Sequence, residues 1–216
     1  MLERVISIII GYVCGLMQTS YLYGRLKHID IREYGSGNAG TTNALRTLGK
    51  KAGLITFLGD FLKPMIAALL AGLIFRDHEQ VKLFEIYAGV GAVLGHIFPC
   101  YLGFKGGKGV ATIAGMSSLF CFRNGCWFVV PVMMLVFIAV VVLTRYVSLG
   151  SIIIIVVYFL WIIYLGQDGV IKMDSKELYE IYILTGLYSL VAVYKHRANI
   201  LRLVRGEENK IFQKKE

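Results

Sequence analysis

The sequence predicts an all-α integral membrane protein, a compact bundle of seven transmembrane helices in a single membrane-embedded domain, residues 1–216. Hydrophobic residues make up 56% of the chain and charged residues only 17%, against roughly 25% charged residues in soluble domains. Seven apolar runs alternate with polar loops, and a spanning helix needs about 20 apolar residues. A chain of 216 residues has no room for a separate soluble domain beside these spans.

The predicted spans follow the apolar runs in order. They cover residues 4–24, 53–75, 83–101, 108–122, 126–143, 147–166 and 178–194. We expect the first to be a retained span and not a signal peptide, because Glu3 and Arg4 cancel in charge and no small-residue cleavage site follows. The fourth is short and follows a glycine-rich loop, so we expect it to be tilted or re-entrant.

The basic residues are divided unevenly between the two sides of the membrane. Of the 23 Lys and Arg residues, 16 lie on one side, seven of them after Tyr194, six lie on the other side, and Lys63 lies within a span. Because cytoplasmic loops carry the excess of Lys and Arg, this predicts an outside N-terminus and a cytoplasmic C-terminus. We attribute the net charge of +9 to orientation and anionic lipid, not to nucleic-acid binding.

The first unusual loop reads GSGNAGTTNALR, residues 35–46. Its glycines allow turns and a close approach of the backbone to a ligand. Four polar side chains are expected to cap a helix that begins near residue 42: Ser36, Asn38, Thr41 and Thr42. Free N–H groups at a helix N-terminus attract phosphate, and Arg46 could bind the same anion with a forked pair of donors. Taken alone, a flexible turn with a capped helix is the alternative.

The second unusual loop reads GFKGGKGVAT, residues 103–112, with two lysines among four glycines. It fails the nucleotide-binding pattern GxxxxGK[ST], because only three residues separate Gly103 from Gly107, and Gly109 follows Lys108. This disfavours nucleotide binding but not phosphate binding. An interfacial hinge with solvated lysines is the alternative for this loop alone.

A few polar residues lie within or beside the spans. Asp60 and Lys63 are three apart on one predicted helix face, and we favour a structural ion pair over a functional one. His96 near the end of the third span is interpreted as structural, and the four histidines show no metal-ligand spacing. The four cysteines form no CxxC pair and are interpreted as small buried apolar residues.

Two further segments fall on the same predicted side as the glycine-rich loops. Three polar residues recur three apart on one predicted helix face: Arg145, Ser148 and Ser151. In the tail YKHRANILRLVRGEENK, His196 and Asn199 share a face that Leu203 continues. A juxtamembrane helix lying on anionic lipid is the alternative for the tail.

Together these loops predict a cytoplasmic site for a substrate that has a phosphate head and either its own acyl chain or an acylated partner. Two other classes stay open, a transporter of an organic phosphate and a lipid-binding protein without turnover. A transporter should show repeated halves and polar residues near the membrane midplane. The sequence shows no repeat, and its polar clusters lie at one face.

The motifs resemble those of the bacterial membrane acyltransferases that transfer an acyl group from acyl-phosphate to the 1-position of glycerol-3-phosphate. GSGNAGTTNALRTLGKKAG, GHIFPCYLGFKGGKGVAT, RYVSLGSI and KHRANILRLVRGEENK match in the family's order and cover nearly the whole chain. Two positions depart from the family's pattern: Pro64 where Gly is usual after the D-x-x-K element, and Leu22 where Pro is usual in the first span. Both lie away from the polar loops.

The resemblance implies a seven-span bundle in the cytoplasmic (inner) membrane, with its active site on the cytoplasmic face. It implies acyl-phosphate as the acyl donor, lysophosphatidic acid and inorganic phosphate as products, and a transient contact with the enzyme that makes acyl-phosphate. The reaction is the first acylation step of phospholipid synthesis, with no metal or other cofactor. None of the four histidines has Asp five residues later, so the His-x-x-x-x-Asp mechanism of the soluble-type acyltransferases does not apply.

The site residues follow from the motifs and the chemistry. We expect four catalytic residues: Lys105, Ser148, His196 and Asn199. We expect nine phosphate- or substrate-binding residues: Ser36, Gly37, Asn38, Thr42, Asn43, Arg46, Gly106, Gly107 and Lys108. The cations would offset the repulsion between two anionic substrates, and His196 and Asn199 would position the glycerol hydroxyl. We expect the two glycine-rich loops to meet and share one phosphate site.

Overall fold

The computed structural model describes residues 1–211, and within this range the regular secondary structure is entirely helical. The chain forms two compact units, Met1–Phe120 and Cys121–Glu216. The first unit contains α1 (Leu2–Gly15), α2 (Thr19–Arg25), α3 (Thr41–Leu48), α4 (Lys50–Ile74), α5 (Val81–Ile97), most of α6 (Val110–Arg123), and the short 3₁₀ helices Ile31–Glu33 and Cys100–Leu102. The second contains α7 (Val129–Thr144), α8 (Val147–Gln167), α9 (Ser175–Lys195) and α10 (Arg197–Val204).

The predicted apolar segments are all helical over most of their length. Within residues 1–211, four stretches are long and apolar enough to cross a membrane: Leu2–Arg25, Lys50–Ile74, Val81–Leu102 and Val147–Gln167. The helices α6 and α7 are apolar but shorter. The surface of α7 carries several exposed large apolar side chains, Leu135 and Leu143 among them, as expected of a helix that faces lipid.

The first predicted span is not one continuous helix. It breaks between Gly15 and Thr19, and Gln18 at the break is fully buried. The Gln18 side-chain amide donates to the carbonyl oxygens of Gly15, Gly95 and His96, at 3.3, 3.4 and 3.0 Å. Because buried polar groups require such partners, the break places Gln18 where it joins the end of α1 to the end of α5.

Close packing of α1 against α5 depends on small residues at four-residue spacing. A methyl group at Gly11 would overlap the carbonyl oxygen of Ala88 and lie 2.9 Å from the amide nitrogen of Ala92. Likewise, one at Gly95 would overlap the carbonyl oxygen of Tyr12. Small residues of this kind let helix backbones approach closely within a membrane.

The C-terminal segment contains two helices and a return of the chain. α9 ends at Lys195, and His196 separates it from the short helix α10. After α10 the chain returns to the start of α8, where the amide of Ile211 donates to the carbonyl of Arg145 at 2.8 Å. Two of the tail lysines counted above, Lys214 and Lys215, lie outside the described residues, as does the C-terminal Glu216.

The cysteines show no shared pattern of burial. Cys121 and Cys126 are buried, as expected of small apolar residues, whereas Cys100 is exposed.

Candidate functional site

The first glycine-rich loop is held from beneath by Asn43, which is 2% exposed. The Asn43 side chain accepts a hydrogen bond from the amide of Ser36 at 2.9 Å and donates to the carbonyls of Ile31 and Tyr34 at 3.1 and 2.9 Å. A methyl group at Gly35 would overlap the side-chain amide oxygen of Asn43, and Gly35 has a φ of 61°. Glycine tolerates this left-handed conformation and the close approach. One buried amide therefore fixes the shape of residues 31–36.

An ion pair fixes the entry to this loop. The Asp30 carboxylate accepts hydrogen bonds from the backbone amide and the guanidinium of Arg32, the shortest at 2.6 Å. These bonds from Arg32 hold the pKa of Asp30 below its usual value. A second guanidinium nitrogen of Arg32 donates to the carbonyl of Leu102 at 3.4 Å, so the pair also joins the first loop to the segment that precedes the second.

The predicted side-chain cap of α3 is wrong. The helix begins at Thr41 and its N-cap residue is Gly40, where no side-chain cap bond forms. Its first intrahelical bond runs from the amide of Ala44 to the carbonyl of Gly40 at 3.0 Å. The amides of Thr41, Thr42 and Asn43 therefore lie at the open N-terminal end of α3.

The second glycine-rich loop folds back onto the end of α5. The amides of Gly106 and Gly107 donate to the carbonyls of Ile97 and His96, both at 3.2 Å. The amide of Phe104 donates to the carbonyl of Pro99 at 3.0 Å. Protein carbonyls therefore already accept hydrogen bonds from these three amides. Lys105 at the loop tip is exposed and Lys108 is half-buried.

The two loops lie side by side, as the shared-site prediction requires. A methyl group at Gly107 would lie 2.8 Å from the carbonyl oxygen of Ala39 and would overlap the Nε2 atom of His96. Gly106 and Gly107 are both buried, and a methyl group at either position would overlap atoms of His96. The space between the loops is filled by backbone, and glycine is the residue that fits there.

The predicted residues of the first loop differ in exposure. Ser36, Gly37 and Arg46 are exposed, Asn38 and Thr42 are half-buried, and Asn43 is buried. The amide of Gly37 donates to the carbonyl of Tyr34 at 3.0 Å. The Ser36 hydroxyl, the Arg46 guanidinium and the first amides of α3 are groups of a kind that binds anions.

A buried polar cluster lies below the second loop. The Lys63 ammonium contacts Asp60 Oδ1 at 2.9 Å, His96 Nδ1 at 2.7 Å and the carbonyl of Met17 at 2.8 Å. The predicted ion pair of Asp60 and Lys63 is confirmed. Sequence reasoning missed that His96 joins it, because the side chains of Lys63 and His96 meet across 33 residues.

In the second unit, His196 sits in the break between α9 and α10 and is 2% exposed. Its Nδ1 atom lies 2.8 Å from the carbonyl of Ala192. A carbonyl can only accept, so Nδ1 carries the proton. In the neutral ring Nε2 then has the lone pair, and it can accept a hydrogen bond from a hydroxyl group.

Glu208 accepts hydrogen bonds from the other predicted site residues of this unit. Glu208 itself was not identified from the sequence. Its Oε1 atom accepts from Ser148 at 3.1 Å and from Asn199 at 2.8 Å, while Oε2 accepts from Arg202 Nε at 2.8 Å. Glu208 is only 8% exposed. The available signal was its position as an acidic residue, with Glu207, in an otherwise basic tail. Ser148 and Asn199 are thus brought together with Glu208.

Arg145 does not share a helix face with the serines, as the sequence had suggested. It follows α7 in a left-handed conformation with φ 64°, before α8 begins. Ser148 and Ser151 are both buried in the first turns of α8. The expected three-residue face therefore reduces to these two serines.

Comparison with known proteins gives a consistent result. A family model described as glycerol-3-phosphate acyltransferase matches residues 5–206. The chain is 40% identical to a glycerol-3-phosphate acyltransferase of Chlorobaculum parvum, over 98% of this chain and 97% of the relative. It is 41% identical to one of Clostridioides difficile, with the same coverage.

Two solved structures have the same fold. They are crystal structures of PlsY (YgiH), an integral membrane glycerol 3-phosphate acyltransferase, in its glycerol 3-phosphate and lysophosphatidic acid forms. The first has a TM-score of 0.80 and 33% identity over 97% of this chain and 99% of that one. The second has a TM-score of 0.78 and 33% identity over 96% of this chain and 95% of that one.

The adjoining glycine-rich loops, the His196–Asn199 segment and these full-length similarities lead to one conclusion: the chain is an integral membrane protein that belongs to the glycerol-3-phosphate acyltransferase family.

Proposed function

We propose that this protein transfers a fatty acyl group from acyl-phosphate to the 1-hydroxyl of glycerol-3-phosphate. The products are lysophosphatidic acid and inorganic phosphate, in the first acylation step of phospholipid synthesis. The observation that carries the proposal is the contact of the two glycine-rich loops at Ala39 and Gly107. The first loop ends at the exposed Arg46 and the second carries the exposed Lys105, so the two cations would serve one anion site.

Two anionic substrates must meet for this reaction, so electrostatic repulsion is a main obstacle. Arg46, Lys105 and Lys108 would offset it, and the Ser36 and Thr42 hydroxyls would add neutral donors. Gly37 and Asn38 would allow the backbone of the first loop to approach the bound phosphate closely. The open end of α3 would contribute its first amides, which favour a phosphate group.

Asn43, Gly106 and Gly107 take a positioning part in this proposal. The Asn43 side-chain amide bonds to the backbone of Ile31 and of Ser36. It would therefore shape the first loop, while other residues of that loop bind the anion. Gly106 and Gly107 hold the second loop on α5 through their own amides. Such fixed geometry supplies much of the rate enhancement when two reactants must be aligned.

His196 would position the attacking hydroxyl. With Nδ1 donating to Ala192, Nε2 can accept the hydrogen bond of the glycerol hydroxyl and orient its oxygen toward the acyl carbon. Glu208 would hold Ser148 and Asn199 beside it through the hydrogen bonds described above. A covalent acyl-enzyme is not needed, because the acyl-phosphate carbonyl is already activated as a mixed anhydride.

The atoms of the step balance without another reactant. The hydroxyl oxygen forms a bond to the acyl carbon, and the bond from that carbon to the phosphate oxygen breaks. The hydroxyl proton ends on the phosphate, which leaves as HPO₄²⁻. No metal or other cofactor takes part in the proposed reaction.

We also propose the membrane arrangement that the charge distribution predicts. Residues 1–216 would form one domain with seven spans in the cytoplasmic membrane, with the N-terminus outside and the C-terminus and site in the cytoplasm. In this position the site can receive acyl-phosphate through a transient contact with the enzyme that makes it, and release its product into the adjoining leaflet.

The test uses purified full-length protein in detergent. Release of inorganic phosphate from palmitoyl-phosphate is measured with and without glycerol-3-phosphate, and lysophosphatidic acid is measured by mass spectrometry. We expect both products in equal amounts, and only when both substrates are present. The donor is tested by replacing palmitoyl-phosphate with palmitoyl-CoA or palmitoyl-acyl carrier protein, and equal activity with either would contradict the proposed donor. Uptake of glycerol-3-phosphate into proteoliposomes without acylation would indicate a transporter.

A further inference from the structure

The buried cluster of Asp60, Lys63 and His96 has no part in the reaction as proposed above. All three residues lie in or at the end of helices α4 and α5, and each is at most 3% exposed. Charged groups in such places are costly unless their partners are fixed. The cluster also includes Thr19, whose hydroxyl donates to Asp60 Oδ1 at 3.4 Å. It therefore joins α2, α4 and α5 below the loops.

The contacts of Lys63 fix the protonation of the His96 ring. An ammonium group can donate three hydrogen bonds and can accept none. The three contacts of Lys63 described above are with Asp60 Oδ1, the Met17 carbonyl and His96 Nδ1. The same Nδ1 atom also lies 3.5 Å from Asp60 Oδ1. We assign Lys63 as the charged donor, so that Nδ1 accepts and the ring proton of neutral His96 lies on Nε2. His196 has the opposite arrangement, with its proton on Nδ1.

The far end of the His96 ring meets the second glycine-rich loop. A methyl group at Gly107 would overlap His96 Nε2, so the ring and the Gly107 backbone are in close contact. The backbone carbonyl of His96 accepts from the Gly107 amide at 3.2 Å and from the Gln18 side chain at 3.0 Å. Gly107 is thus held by both the side chain and the main chain of one residue.

We infer that His96 is a positioning residue, locked by Asp60 and Lys63 with its proton on Nε2, that sets Gly107 and hence the phosphate-binding loop. The inference rests on the proposed function, because it concerns the same phosphate site. It gives a functional reason for the charged residues buried in a span. An ion pair with only a structural role would not need to contact the loop.

The first experiment measures the tautomers directly. In protein with His28→Gln and His78→Gln, only His96 and His196 stay as histidines, and both replaced residues are exposed. Selective ¹⁵N labelling of histidine, with couplings from the ring nitrogens to the ring carbon-bound protons, reports which nitrogen is protonated. We expect one ring protonated on Nε2 and one on Nδ1. The His96→Asn variant should lose the Nε2-protonated signals, and loss of the Nδ1-protonated signals instead would overturn the inference.

The second experiment separates positioning from stability. His96→Asn keeps an acceptor near the place of Nδ1 but does not reach Gly107, whereas His96→Gln extends toward the place of Nε2. We expect His96→Asn to raise the KM for glycerol-3-phosphate about tenfold or more, because small displacements of a binding loop weaken the contacts it makes. His96→Gln should restore a KM nearer the wild type, and kcat should change less than KM in both.

The matched control is Glu85→Gln. Glu85 is also buried within α5, but it lies near the opposite end of the helix and contacts the region of Gly72. We expect a wild-type KM for this variant. A wild-type KM in His96→Asn, or equal KM values in the Asn and Gln variants, would overturn the positioning role. Absence of acyl transfer in the wild-type protein would instead contradict the proposed function, while the tautomer measurement would still test the cluster.

Discussion

At the scale of single residues, the structure separates groups that can meet a ligand from groups that shape the loops. Arg46 and Lys105 are exposed, whereas Asn43 and Gly107 are buried in backbone contacts. From their motifs, Lys105 was predicted to be catalytic and the other three were predicted to bind phosphate or substrate. Their division into binding and positioning parts depends on which side chains face inward, and residue type alone does not determine this.

Removing either exposed cation should impair catalysis and leave the fold intact. We expect Arg46→Ala and Lys105→Ala each to lower kcat/KM by roughly tenfold to several hundredfold, because a charge-assisted contact contributes about 1.5–3 kcal/mol or more. Lys51→Ala, at another exposed lysine on the same predicted side, is the control and should keep wild-type activity. Wild-type turnover in both test variants would mean that the phosphate groups bind elsewhere.

A side chain at Gly107 should harm activity strongly. In Gly107→Val, the new atoms would overlap His96 and crowd the Ala39 carbonyl, so we expect at least about a tenfold loss of kcat/KM from the displaced loop. Gly186→Ala is the comparison, because a methyl group there would lie 3.3 Å or more from its neighbours and Ala favours a helix. The idea of a shared site fails if both variants turn over like the wild type.

Loss of the Glu208 carboxylate should release the side chains it holds. We expect Glu208→Leu to lower kcat and thermal stability together, because Ser148, Asn199 and Arg202 each lose a hydrogen bond of about 0.5–3 kcal/mol. Glu207→Leu is the matched control, since Glu207 is exposed. The assays are phosphate release and unfolding temperature in detergent. An unchanged kcat in Glu208→Leu would remove Glu208 from the site.

At the scale of elements, the helices were largely predictable and the breaks were not. Apolar runs identify spans because every backbone group in lipid must bond internally, and α8 begins at Val147 as predicted. The break at Gln18 depends on carbonyls more than 70 residues away, at Gly95 and His96. The joining of His96 to Lys63 likewise depends on a contact across 33 residues. Local patterns cannot contain this information.

The α1–α5 contact gives a test at this scale. A larger side chain in Gly11→Val would overlap the Ala88 carbonyl and force the helices apart, which costs about 1–3 kcal/mol for an overpacked core. We expect a lower unfolding temperature in detergent. Val13→Ala, at a 61% exposed position of the same helix, should change it little. Equal stability of the two variants would show that α1 and α5 do not need this close approach.

At the scale of the whole molecule, the positive charge should set how the chain lies in the membrane. A fluorescent reporter that matures only in the cytoplasm, fused after Glu216, should be active, whereas a reporter that requires export should be inactive at the same position. Moving the export reporter to the loop between α6 and α7 should restore its activity. The reverse pattern would refute the predicted orientation of the site.

The bond between Gln18 and the end of α5 also bears on how the protein is made. Gln18 and Lys63 leave the ribosome before their partner His96, which follows Gln18 by 78 residues and Lys63 by 33. During synthesis both side chains therefore enter the membrane before their contacts with α5 can form. The emergence of α5 supplies the missing acceptors at one moment, so the first half of the chain should stay in contact with the insertion machinery until then. Membrane insertion and the later geometry of the loops would thus both depend on the contacts that His96 makes with Gln18 and Lys63.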